Sequence, residues 1–228
     1  MRFMFVGDSM TIGRAGDWTW RYRMWQHLGE GAEVVGPRTA LHDSADGYAD
    51  PDFPPHARRH LAGWGEGWLH MAPLIGGTVA EHRPDVLLIS LGLIDLGFYT
   101  DAGQTDENVR AFLAAARAAS PGIRMVVLPV IPNVRAETDA PFAAEVARFN
   151  ELLAKTVADA DAPASPLLLA SVPASYDIHT DTYDGTHPGP SGEHKLAAAF
   201  ATALHQAWGV GGPYRGAPTP GTAPRAGS

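Results

Sequence analysis

Phe3-Met4-Phe5-Val6-Gly7-Asp8-Ser9-Met10-Thr11 decides the reading of this chain. Four apolar residues in a row suit a strand covered on both faces, which is how strands of a parallel sheet read. The run opens directly onto a Gly-Asp-Ser turn. That puts Ser9 at the carboxyl edge of the sheet, where α/β proteins place their chemistry. Taken alone the tripeptide is ordinary turn material, and a serine there also suits the cap of a following helix.

Outward from this stretch, apolar runs recur at wide intervals. Strands are predicted at residues 2–6, 33–36, 85–91, 123–130 and 166–171, and helices at 19–28, 68–81, 107–119, 140–160 and 191–208. Within 140–160, Phe142, Val146, Phe149, Leu152 and Leu153 recur every three or four residues, as one buried helical face requires. Strands alternating with helices predict βαβ units and an open, doubly wound, five-stranded parallel sheet. Residues 42–60 are turn-rich and carry Asp43, Asp46, Asp50 and Asp52 without the alternating ligand spacing of a calcium loop. They read as a solvated loop bordering a cleft. From Gly211 onward Gly, Pro, Ala and Thr dominate, so the expected organisation is one domain over 1–210 and a Gly/Pro-rich disordered tail over 211–228.

The net charge of -8 argues against a nucleic-acid partner, which normally meets a basic face. The absence of cysteine excludes disulfides, thiolate metal sites and a cysteine nucleophile. No apolar stretch is long enough to cross a bilayer, and the N-terminus lacks the regions of a secretory signal. A cytoplasmic protein with neither membrane nor nucleic acid as partner is expected.

A second motif lies near the other end, Asp184-Gly185-Thr186-His187-Pro188. With Ser9 it supplies a nucleophile, a base and an orienting carboxylate in the chain order Ser, Asp, His. His187 sits in a loop ahead of the last helix, and loops on a rigid scaffold are where catalytic groups concentrate. Asp184 can turn back within that loop to accept the His187 Nδ1 proton, leaving Nε2 for Ser9. Asp177 and Asp181 are spare carboxylates nearby, and Asp184 is favoured for its glycine-containing spacing.

These blocks resemble the SGNH (GDSL-type) esterase and lipase superfamily. Gly7-Asp8-Ser9-Met10 matches its first block and Asp184-Gly185-Thr186-His187 its last. Residues 83–88 followed by Leu91-Gly92-Leu93-Ile94-Asp95-Leu96 occupy the place of the third. The resemblance runs from about residue 2 to 208. It implies a three-layer α/β/α, flavodoxin-like fold and acyl chemistry through an acyl-serine, with no cofactor or metal. It also implies an oxyanion hole made by the Ser9 N–H, a second-block glycine N–H and an asparagine amide. Gly65 suits the glycine role, with Gly63 as runner-up.

Where the family has the asparagine, this chain has Ile94, which carries no donor. One missing oxyanion donor costs on the order of 10²–10³ in turnover. Asn133, after the fourth predicted strand, can supply a substitute amide, or can simply be a turn residue following proline. Asp8, Ile94 and Trp64 are the candidate substrate contacts. Trp18, Trp20, Trp25 and Trp68 are expected mainly in packing, and Arg14, Arg21 and Arg23 at solvated helix positions. The expected activity is hydrolysis of a small-molecule acyl ester. Acyl transfer or lactone formation on the same triad is the first alternative, and a binding protein with a relic site the second.

Overall fold

The computed structural model describes residues 1–216. In chain order the elements of its first half are β1 (Arg2–Gly7), α1 (Ser9–Ile12), α2 (Trp20–Leu28), β2 (Glu33–Val34), β3 (Leu61–Ala62), α3 (Trp68–His82) and β4 (Val86–Ser90). There follow α4 (Ala102–Ala119), β5 (Arg124–Leu128), α5 (Arg135–Thr138), α6 (Ala140–Ala160), β6 (Leu167–Leu169), α7 (Ile178–Asp181) and α8 (Pro190–Trp208).

All strand pairings are parallel, in the order β2-β1-β4-β5-β6, with β3 also paired to β1. β4 accompanies β1 from Phe3 to Gly7. The opposite edge is shared: β2 pairs at Arg2 and Phe3, and β3 at Val6 and Gly7. The sheet thus has six strands. The sixth, β3, is two residues long and has no apolar run to announce it. The run expected at 33–36 shortens to Glu33–Val34 because the chain leaves the edge there and rejoins it at Leu61.

Helices α3, α4 and α6 pack side by side, and α2 packs with α8, giving the expected α/β/α layers. The apolar runs explain the arrangement, since β1, β4 and β5 are buried along almost their whole length. Large rings lock the layers together. Trp20 on α2 stacks on Phe200 of α8 at 4.6 Å and meets Phe5 of β1 edge-on at 5.3 Å. Trp68 on α3 meets Phe112 of α4 edge-on at 5.1 Å. Each such ring removes about 150–250 Å² from water, a gross gain of a few kcal/mol that offsets chain entropy. Helix α4 starts at Ala102, earlier than expected, because Asp101 accepts the Gln104 N–H at 2.9 Å. Gly103 and Thr105 had weakened the helical pattern there.

The long excursion between β2 and β3 has its own small core of Tyr22, Leu41, Tyr48, Phe53 and Ala57. Its carboxylates serve as ties: Asp43 accepts the Ala15 N–H at 2.7 Å, Asp50 accepts the Tyr22 hydroxyl at 2.6 Å, and Asp46 pairs with Arg58 at 2.9 Å. Arg21, expected in solvent, is fully buried. Its guanidinium donates to the carbonyls of Thr11, Ile12 and Arg58 and to the Tyr48 hydroxyl, which satisfies a charge that burial alone would make costly.

The start of the expected tail is docked. Tyr214 packs against the domain, with its hydroxyl 2.8 Å from His194 Nδ1 on α8 and its ring 5.2 Å from His27 on α2. The rest of the expected disordered tail, 217–228, lies outside the described residues. Among the described residues no helix is long and apolar enough to cross a membrane.

Candidate active site

The strand order reverses between β1 and β4, and a crevice opens at such a reversal beyond the strands' carboxyl ends. Ser9 follows β1 into it, and Gly92 to Asp95 follow β4. Gly7 is required by close approach: a Cβ there would run into the Thr11 side chain and come 2.8 Å from the Ser90 carbonyl. Asp8 caps α1 by accepting the Met10 N–H at 3.0 Å. It is fully buried and does not line the cleft, so the expectation that it contacts substrate is corrected. Burial, with the neighbouring charge of Asp95 added, pushes the Asp8 carboxyl up to about 7.

His187 Nε2 lies 2.9 Å from Ser9 Oγ, and His187 Nδ1 lies 2.7 Å from Asp184 Oδ2. Asp184 Oδ1 accepts the N–H groups of Thr186 at 3.0 Å and His187 at 2.8 Å, which folds the loop back on itself. Burial raises the Asp184 carboxyl's pKa, but those N–H groups and the His187 ring outweigh it and hold the carboxyl below its ordinary value. Gly185 makes the turn at φ +83°, with Val134 where a Cβ would be, and its carbonyl accepts the Val134 N–H at 2.7 Å. The spare carboxylates are occupied elsewhere. Asp177 caps α7, and buried Asp181 meets Lys195 Nζ at 2.5 Å. With Nδ1 protonated toward Asp184, the Nε2 lone pair can take the Ser9 hydroxyl proton.

Ser9 and His187 open onto a cleft of about 410 Å³, a size suited to a small ligand. Trp64, Gly65, Ile94 and Asn133 line it together with Leu93, Phe98, Tyr99 and Phe142. Gly63 is occupied otherwise: its N–H donates to the Gly7 carbonyl at 3.1 Å, extending the β1–β3 pairing. Asn133 is 3% exposed and its Nδ2 is buried without a hydrogen-bond partner among the described residues. Asp95, beside Ile94, accepts the N–H groups of Trp68 at 2.8 Å and Leu69 at 3.0 Å, pinning the start of α3 to the end of β4. Burial raises its carboxyl's pKa.

Of the five tryptophans near the first two blocks, Trp64 alone lines the cleft. Trp20 and Trp68 are core, and Trp18 and Trp25 flank the small second core. Arg14 lies over the Tyr183 ring at 3.9 Å, and Arg23 pairs with Glu193 at 3.3 Å. The apolar wall is what sequence reasoning missed. A π-helical turn, Asp95–Tyr99, turns Phe98 and Tyr99 outward to 76% and 55% exposure. The available signal was an aromatic pair directly after the third block. In the sequence Phe142 stands out only as one residue of a helical stripe.

Residues 5–195 match the family model described as GDSL-like lipase/acylhydrolase. No curated protein matches the chain. Among solved structures, an acetyl esterase with an acetate ion is 22% identical, with a TM-score of 0.75 over 90% of this chain and 97% of that one. A carbohydrate esterase family 3 protein from Talaromyces cellulolyticus is 22% identical, with a TM-score of 0.74 over 90% and 97%. The family 3 carbohydrate esterase of Clostridium thermocellum is 19% identical, with a TM-score of 0.69 over 90% and 96%. At these identities the likeness speaks for the fold. The family match covers most of the chain, and with it this protein belongs to the GDSL-like lipase/acylhydrolase family and is an ester hydrolase.

Proposed function

We propose that this protein hydrolyses a small or medium acyl ester through an acyl-serine, with Ser9 as nucleophile, His187 as base and Asp184 as its orienting carboxylate. The observation that carries the reading is the unbroken chain of short contacts from Asp184 Oδ2 through the His187 ring to Ser9 Oγ, at 2.7 and 2.9 Å, opening onto an apolar cleft.

In this scheme Ser9 Oγ attacks the acyl carbon while its proton passes to His187 Nε2. Asp184 stabilises the imidazolium that forms. The carbonyl oxygen becomes an oxyanion held by the N–H groups of Ser9 and Gly65 and by the Asn133 amide, whose buried Nδ2, without a partner among the described residues, supports that assignment. The tetrahedral intermediate collapses as His187 returns its proton to the leaving alkoxide, releasing the alcohol. Water then gives a proton to His187 and attacks the acyl carbon, and the released Ser9 oxygen takes the proton back. The scheme uses no cofactor or metal. The wall of Leu93, Ile94, Phe98, Tyr99 and Phe142 favours an apolar group on the substrate.

The test is labelling with a fluorophosphonate combined with burst kinetics on p-nitrophenyl butyrate. A labelled wild type, an unlabelled Ser9→Ala and a burst followed by steady turnover are expected. A burst relieved only by an added alcohol or amine would make the protein an acyltransferase. Wild-type turnover in Ser9→Ala would end the triad assignment.

A further inference from the structure

Two aromatic rings lie nearly parallel to the His187 imidazole. The Trp64 ring centroid is 4.7 Å away with planes 15° apart, and that of Tyr183 is 5.7 Å away with planes 13° apart. Both distances fall in the range of offset stacking. Each ring is itself held: His42 stacks on Trp64 at 4.3 Å and 19°, and the Arg14 guanidinium lies 3.9 Å from the Tyr183 centroid. The Tyr183 N–H also donates to the His187 carbonyl at 3.1 Å. The assembly joins loops that follow α1, β2, β3 and α7.

Neither ring belongs to a buried core. Trp64 is 38% exposed and Tyr183 37%. What each ring does cover is a face of the His187 imidazole. The in-plane partners of His187, Ser9 and Asp184, fix its two nitrogens but do little against tilting of the ring. Parallel faces oppose that tilt. The π faces also attract a cation within about 6 Å, and the base becomes a cation midway through the reaction.

We propose that Trp64 and Tyr183 are positioning residues for His187, setting its ring plane and favouring the imidazolium formed during acyl transfer. This rests on the reading of His187 as the base. Trp64 has a second contact, because it also lines the cleft, whereas Tyr183 does not. The charged and titratable groups around these rings are Asp184 on the His187 loop, Asp17 and Arg14 after α1, His42 and Asp43 in the excursion, and the Tyr183 phenol, whose pKa burial raises. All but that phenol are retained in the variants below.

The test compares Tyr183→Leu and Trp64→Leu, which keep apolar cover but lose the π face, with Tyr183→Phe and Trp64→Phe, which keep it. The readouts are the pH profile of kcat/KM, kcat and KM separately, and a nuclear magnetic resonance titration of the His187 ring. The leucine variants are expected to lose about tenfold in kcat. Their acid limb and the His187 titration midpoint should move to lower pH by about half to one pH unit, because the imidazolium has lost a favourable face. KM should hold in Tyr183→Leu and shift in Trp64→Leu, while the phenylalanine variants restore kcat and the His187 midpoint, with KM in Trp64→Phe still set apart by the smaller ring on the cleft wall. A leucine variant whose His187 midpoint stays at the wild-type pH overturns the proposal, as does a kcat loss that phenylalanine does not restore. The titration needs no substrate, so an enzyme unlabelled at Ser9 would count against the triad while this ring effect is still read.

Discussion

Ile94 and Asn133 line one cleft, the first with a side chain that offers no donor, the second with an amide nitrogen that is buried and has no partner among the described residues. On the proposed reading, Asn133 supplies after β5 the donor that the third block lacks. Asn133→Ala should lower kcat by about 10²-fold, the usual cost of one oxyanion donor. Ile94→Asn should be no faster than the parent and less stable by about 1–3 kcal/mol, since it buries an amide at a site built for methyl groups. Turnover and urea denaturation of both variants, measured together, check this. A much faster Ile94→Asn would mean that Asn133 is not the substitute.

Asp184→Asn should reduce kcat by about 10³–10⁴-fold with little change in KM, because an amide facing Nδ1 favours the wrong imidazole tautomer. His187→Ala should be at least as damaging. Asp181→Asn should leave kcat close to wild type and lower the melting temperature, since Asp181 is buried against Lys195 rather than turned to the ring. Steady-state kinetics and thermal melts on the three variants separate the two carboxylates.

The contribution of Asp8 and Glu193 to stability should fall as pH rises from about 4 to about 7, against an opposite contribution from His27, His60 and His194, whose pKa values burial lowers. Asp8 and Glu193 are each pushed up to about 7, chiefly by burial. In the unfolded chain both ionise near pH 4, so across that window these two groups bind more protons in the folded state, and their share of the unfolding free energy declines with pH. Asp184 and Asp181 act in the opposite sense and in a lower window. Their carboxyls are held below their ordinary values, so their contribution is present above about pH 4 and lost as pH falls below it. Asp8→Asn keeps an acceptor for the Met10 N–H and should be more stable than the parent at pH 8, with the difference shrinking towards pH 4. Urea denaturation across that range is the measurement.

Ending the chain after Gly216 should leave melting temperature and activity unchanged. Ending it after Gly212 removes Tyr214 and its contacts with His194 and His27, and should lower the melting temperature by about 2–4 °C, as a loss near 1 kcal/mol does in a domain of this size. Differential scanning calorimetry of the two truncations decides whether the docked residue or the segment beyond it matters.

The layers were legible because their signals are local. Runs such as Leu87-Leu88-Ile89 fit only a strand covered on both faces, and the helical stripe from Phe142 to Leu153 repeats for several turns. Ser9, Asp184 and His187 were legible for a different reason, since each motif carries its own turn chemistry. What escaped was set by distant partners. Leu61 and Ala62 form a strand because the edge of β1 is free there. Arg21 is buried because four acceptors from other segments converge on it. The aromatic wall depends on the π-helical turn after β4, and nothing within Leu96-Gly97-Phe98-Tyr99 marks which way its rings will point.

The interrupted outer edge of the sheet bears on how the protein behaves in a crowded solution. A long, flat edge strand is a template on which another chain can add itself. Here one edge is divided between Glu33–Val34 and Leu61–Ala62, with the excursion rising between them, and the other is the three-residue β6. Neither presents a run of free N–H and C=O groups long enough to seed intermolecular pairing. The detour that brings Trp64 to the cleft therefore also protects an apolar parallel sheet from aggregating through its rim.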